Sequence, residues 1–112
     1  MLLLLLGCFQ MEVKALAGDP ARGKSRVISG CGCHNVDVLD QEGSVVERWI
    51  GERAVPDHQG ESFTLVERVP EISDATILAI IHNGAYLMPS VVDDPQEAAD
   101  ILAFLREDFG GP

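Results

Sequence analysis

The chain has 112 residues, a length for one domain, and so small a domain buries only a modest fraction of its surface. Its net charge of −10 argues against nucleic-acid binding, which needs Lys and Arg to meet phosphates. It favours solubility and, on any protein partner, a basic docking patch. Aromatic residues make up only 5%, so a large apolar cofactor acting as part of the core would relieve a shortage of bulky side chains.

The chain opens with an unbroken leucine run, Leu2 to Leu6, followed by Gly7, Cys8 and Phe9. The run is too short to span a bilayer, which needs about 20 apolar residues, and it fits the apolar part of a secretory signal. Ala15-Leu16-Ala17 before Gly18 has the small-x-small pattern of signal cleavage. Leu5-Leu6-Gly7-Cys8 also resembles the bacterial lipoprotein box, in which a lipidated cysteine tethers a soluble domain to the membrane. No Lys or Arg precedes the leucines, unlike the usual export signal. Residues 1–17 are therefore read as an export segment and residues 18–112 as the domain. The expected location is periplasmic, or otherwise outside the cytoplasmic membrane, soluble or lipid-anchored through Cys8.

Asp19-Pro20 reads as a cap followed by proline at the first helical position. It predicts a helix from Pro20 to Ser29 with Gly23 and Val27 facing inward. Gly30-Cys31-Gly32-Cys33-His34 follows at its end, where glycine permits backbone angles that other residues resist. From Asn35 to Pro70 the pattern is weak and reads as a long loop with one short helix around Val45 to Ile50. This stretch is acidic: from Asp37 to Asp74 there are ten carboxylates against three arginines, Arg48, Arg53 and Arg68. A second helix is expected from Ser73 to Asn83, closed by Gly84, with Ile77, Leu78 and Ile81 at helical spacing. A third is expected from Pro95 to Glu107, with Ala98, Ile101, Leu102 and Leu105 as its inner stripe and Asp94 as its cap. The expectation is an all-α domain of three to four short helices with a long middle loop and no strands.

The chemistry concentrates in two places. Cys31 and Cys33 are one residue apart, so a disulfide between them would close a very tight ring and staple nothing distant. His34 follows Cys33 directly, and a Cys-x-x-Cys-His run marks covalent haem attachment. The second place is Met88. The only methionines are Met1, Met11 and Met88, so the domain holds a single thioether. It lies between the helix-stopping Gly84 and Pro89, a setting that a gap-filling core methionine does not need. A His/Met pair holds haem iron in electron-transfer cytochromes and raises its potential.

On these residues the chain resembles the class I c-type cytochromes, the monohaem cytochrome c family. Gly18 to Lys24 is similar to the family's opening helix, and Asn83 to Pro89 to its Gly-x-x-x-Met-Pro loop. Asp94 to Glu107 is similar to its closing helix. The resemblance implies one covalently bound haem c, attached through Cys31 and Cys33, with His34 and Met88 as axial iron ligands. It implies first and last helices that cross, with Gly23 or Val27 against Phe104. It implies electron transfer with redox protein partners rather than catalysis. Val55-Pro56-Asp57 resembles the family's proline stretch, whose carbonyl orients the axial histidine, although the flanking glycine and leucine are absent. Trp49, Arg48 and Arg53 are candidates to hydrogen-bond the propionates.

The family has two residues between its cysteines, and this chain has only Gly32. On a helical turn residues three apart share a face, whereas residues two apart point to nearly opposite sides. Either the Gly-Cys-Gly-Cys backbone bends enough for both thiols to bond one haem, or Cys33 alone does. Two rival readings stand beside this one. A zinc module would use Cys31, Cys33, His34 and either His58 or His82. A haem-bearing subunit of a larger redox complex, or a gas-binding haem protein, would share the attachment site.

Overall fold

The computed structural model describes residues 16–30 and 32–111. The proposed signal cleavage site lies partly, and the Cys8 lipidation site wholly, outside the described residues, as does Cys31. Among the described residues there are four α-helices: α1 (Pro20–Gly30), α2 (Leu65–Arg68), α3 (Asp74–Asn83) and α4 (Pro95–Phe109). Gly32–His34 and Val69–Glu71 form single 3-10 turns. Between α1 and α2 run four strands, β1 (Val36–Leu39), β2 (Val45–Trp49), β3 (Val55–Pro56) and β4 (Ser62–Phe63).

The helix ends follow local chemistry. Asp19 Oδ1 accepts from Ala21 N at 3.0 Å at the start of α1. Ser73 caps α3 by accepting from Thr76 N, and Asp94 caps α4 by accepting from Gln96 N. Each satisfies a donor that a helix start leaves free. Gly84 and Gly110, both at φ 78°, close α3 and α4.

The expectation of an all-α domain is incorrect. The middle stretch is two antiparallel hairpins, β1–β2 and β3–β4, and the segment expected as a short helix around Val45 to Ile50 is strand β2. The physical reason is a turn chemistry used twice, Asp40-Gln41-Glu42-Gly43-Ser44 and Asp57-His58-Gln59-Gly60-Glu61. In each, the aspartate Oδ1 accepts from the backbone N–H two and four residues on, at 2.8–2.9 Å. In each, the glycine takes a left-handed φ, 84° at Gly43 and 83° at Gly60. A helix cannot pass through such a turn, and the flanking residues pair instead. Val38 pairs with Glu47 and Leu39 with Val45, so Val46 is the extra residue of a bulge. Asp37 and Arg48 sit opposite one another and form a two-point ion pair at 2.7 and 3.2 Å.

The core is helical. Val27 of α1, Ile77 and Ile81 of α3, and Ile101, Phe104 and Leu105 of α4 form one buried cluster with Val69, Val92 and Ala98. α1 lies directly on α4. A Cβ on Gly23 would overlap the Asp100 carbonyl, and one on Gly18 would overlap that of Ala99. The Asp100 carboxylate, itself buried, accepts from Asp19 N at 2.8 Å and from Gln96 Nε2 at 3.0 Å. The Arg106 guanidinium ties α4 to the segment before α3, donating to Val69 O, Ile72 O and Asp74 Oδ1. Its planar fork suits several acceptors at once.

Gly23→Ala forces a methyl into the α4 backbone and is expected to destabilise the fold by about 2–3 kcal/mol. Ser25→Ala, on the exposed face of the same helix, is expected to change stability little; chemical denaturation compares the two. Asp100 supplies a pH dependence. The Asp19 N–H, then the Gln96 amide, hold its carboxyl below the ordinary value of 3.8, against the opposing effect of burial. A lowered folded value means that the unfolded chain binds the proton first. The stabilisation is therefore present above 3.8 and lost as pH falls through the lower folded value. Asp100→Asn is expected to lower the melting temperature at neutral pH, with the gap to the parent narrowing in acid.

Candidate functional site

Cys33 and His34 stand on the 3-10 turn that follows α1. Cys33 is exposed. His34 is half-buried, and burial pushes its imidazole pKa down from 6.5. It is therefore held neutral at physiological pH, the form that ligates a metal. Its Nδ1 is buried and has no hydrogen-bond partner among the described residues. An unsatisfied buried nitrogen of this kind costs about 1–3 kcal/mol. The expected proline carbonyl does not serve it. Val55 and Pro56 are committed to strand β3, paired with Phe63 and Ser62. The His34 backbone carbonyl accepts instead from Arg53 N at 3.1 Å.

Met88 stands at the far end of a tight loop after α3. Ala85 N donates to Met88 O at 2.9 Å and Met88 N donates to Ala85 O at 2.6 Å. Tyr86 in this turn has φ 42°, a left-handed conformation that costs a non-glycine residue about 1–3 kcal/mol. Gly84 has no room for a side chain, since a Cβ there would meet the Met88 carbonyl. Beyond the loop, Val91 N donates to Ile81 O and Ser90 Oγ to His82 O, which returns the chain against α3. Met88 itself is half-buried, while Tyr86 and Leu87 beside it are 67% and 71% exposed.

The two segments leave from a shared base. Val27, one turn before the end of α1, and Ile81, shortly before Gly84, belong to the same core cluster. Among the described residues no hydrogen bond joins the His34 turn to the Met88 loop. The remaining candidates stand apart. His58 is exposed in the β3–β4 turn, and His82 is exposed in the last turn of α3. Arg48 is committed to Asp37, and Trp49 lines an open groove with Lys24, Val66 and Phe109. Sequence reasoning passed over Asn35, whose buried amide lies next to His34. The only available signal was an amide adjacent to a candidate ligand.

A thiol, a neutral imidazole with a buried nitrogen unpartnered among the described residues, and a thioether in a constrained loop are the donor types that a covalently held haem takes. The exposed Tyr86 and Leu87 add apolar surface beside the thioether.

Tyr86→Gly relieves the left-handed strain and is expected to stabilise the chain by up to about 1 kcal/mol, whereas Tyr86→Ala gives no such gain; thermal melts of the two variants read the difference. In comparisons with known proteins, no family model matches the chain, and no curated protein or solved structure matches it either.

Proposed function

We propose that this chain is an electron-transfer protein carrying one haem c, bound covalently through Cys33 and held axially by His34 and Met88. The observation that carries the reading is the state of His34. It follows a cysteine directly, burial favours its neutral imidazole, and its buried Nδ1 has no hydrogen-bond partner among the described residues. The thioether of Met88, in a loop with backbone strain at Tyr86, supports the second ligand position. Haem held by Cys33, His34 and Met88 would supply a one-electron iron couple, and iron ligated by both an imidazole and a thioether would favour electron transfer over binding of substrate. The chain's own contribution is to keep His34 unprotonated and the methionine loop closed. Attachment through Cys31 as well requires a bent Gly-Cys-Gly-Cys backbone. The proposed setting is outside the cytoplasmic membrane, with a redox protein partner whose docking patch is basic, opposite the chain's net charge of −10.

A pyridine haemochrome spectrum of protein made with a working haem-attachment system tests this reading. Haem that stays with the chain on a denaturing gel is expected, and the band position distinguishes one thioether from two. Colourless protein overturns the proposal, and metal analysis showing zinc without iron would replace it with the Cys/His zinc module. Met88→Ala is expected to open one axial position. Carbon monoxide should then bind the reduced variant readily and leave the parent protein unaltered, and the reduction potential should fall.

A further inference from the structure

We propose that Asn35 is a positioning residue that fixes the orientation of the His34 imidazole, by clamping the attachment turn between α1 and the Gly51 loop. This rests on the haem reading above. Asn35 follows His34 and is only 5% exposed. Both ends of its amide are engaged: Nδ2 donates to Val27 O at 3.4 Å, and Oδ1 accepts from Gly51 N at 3.1 Å. Its own backbone N–H donates to Gly32 O at 3.1 Å and closes the turn that carries Cys33 and His34. Arg53 N adds a bond to the His34 carbonyl at 3.1 Å. The turn is thus gripped on one side by the last buried turn of α1 and on the other by residues 51–53.

The far side of the grip cannot drift. Gly51 has φ 77°, and a Cβ there would lie 2.6 Å from the Phe109 ring and 3.2 Å from Leu65 Cβ. Its backbone is pressed against the end of α4, the helix on which α1 is also seated. Among the described residues the imidazole makes no bond of its own through Nδ1. A metal-bound histidine is normally oriented by an acceptor on its second ring nitrogen. Without one, the ring direction is inherited from the backbone of residues 33–35, and Asn35 is the buried side chain that holds that backbone. A leucine of similar volume would fill the space but leave the Gly51 N–H without its acceptor.

The test uses haem-loaded Asn35→Leu beside the parent protein and Val69→Ala, a core truncation on a different element. The g-values of the low-spin ferric haem, read by electron paramagnetic resonance, report the imidazole plane and do not move with stability alone. Asn35→Leu is expected to shift and broaden them, while Val69→Ala lowers the melting temperature and keeps the parent signal. An unchanged signal in Asn35→Leu overturns the clamp, whatever the melting temperature. Where Asn35→Leu does not accumulate with haem, Asn35→Ala, which leaves room for water at Gly51 N, is read by the same criterion. Parent protein without any haem signal overturns the haem reading and the clamp together; failure of the clamp alone leaves the parent signal intact.

Discussion

The backbone of α1 rests on the backbone of α4, and the rest of the molecule is placed by that contact. Gly23 and Gly18 have no Cβ to hold the helices apart, so the chain at residues 18–23 meets the Ala99 and Asp100 carbonyls directly. The buried Asp100 carboxylate then takes the Asp19 N–H, a bond available only at this separation. Val27 and Phe104 are brought into one apolar cluster with Ile77 and Ile81 of α3. Without that seam, neither the turn at the end of α1 nor the loop at the end of α3 would have a fixed origin.

Those two ends are also where the structure tolerates local cost. Among the described residues His34 Nδ1 and Arg26 Nε of α1 are buried without a hydrogen-bond partner, and Tyr86 keeps a left-handed backbone. The features at His34 and Tyr86 each cost about 1–3 kcal/mol, a sizeable fraction of the stability of so small a domain. Such costs persist only where the surroundings over-determine the geometry, and they gather at functional sites. Here the costs at His34 and Tyr86 fall at or beside the two residues proposed as iron ligands. The hairpins contribute little to the core: every residue of β2 is exposed, and β1 buries Val36 only in part. Their contribution to the site comes through the strand ends, where Gly51 and Arg53 meet the His34 turn.

The three long helices were legible because each carries its punctuation in the chain, whereas the one-turn α2, Leu65–Arg68 with its Thr64–Glu67 capping box, lies in the stretch read as loop. Asp19-Pro20, Ser73 and Asp94-Pro95 place starts within a residue of the observed ones, and Gly84 ends α3; the last helix runs two residues past the expected Glu107, to Phe109. The spacing of Ile77 and Ile81, and of Ala98, Ile101 and Leu105, identified buried faces. The hairpins were missed because their strands are short and solvated on both faces, so no alternation of burial marks them. The legible signal was the repeated Asp-x-x-Gly spacing, 17 residues apart at Asp40 and Asp57, which specifies the turn rather than the strands. The pairing of Arg48 with Asp37 was likewise not legible, because the two lie 11 residues apart and meet only across the paired strands.

The sequence alone determined the three long helices, their inner faces, and the candidacy of Cys33, His34 and Met88, because capping, helical periodicity and residue chemistry are local properties. The tertiary structure decided that the middle of the chain is paired strand, that His34 is partly buried with its imidazole pKa pushed down, and that Asn35 joins its turn to Gly51. Those depend on which distant backbone groups come within hydrogen-bonding reach, and the packing of α1 on α4 sets that.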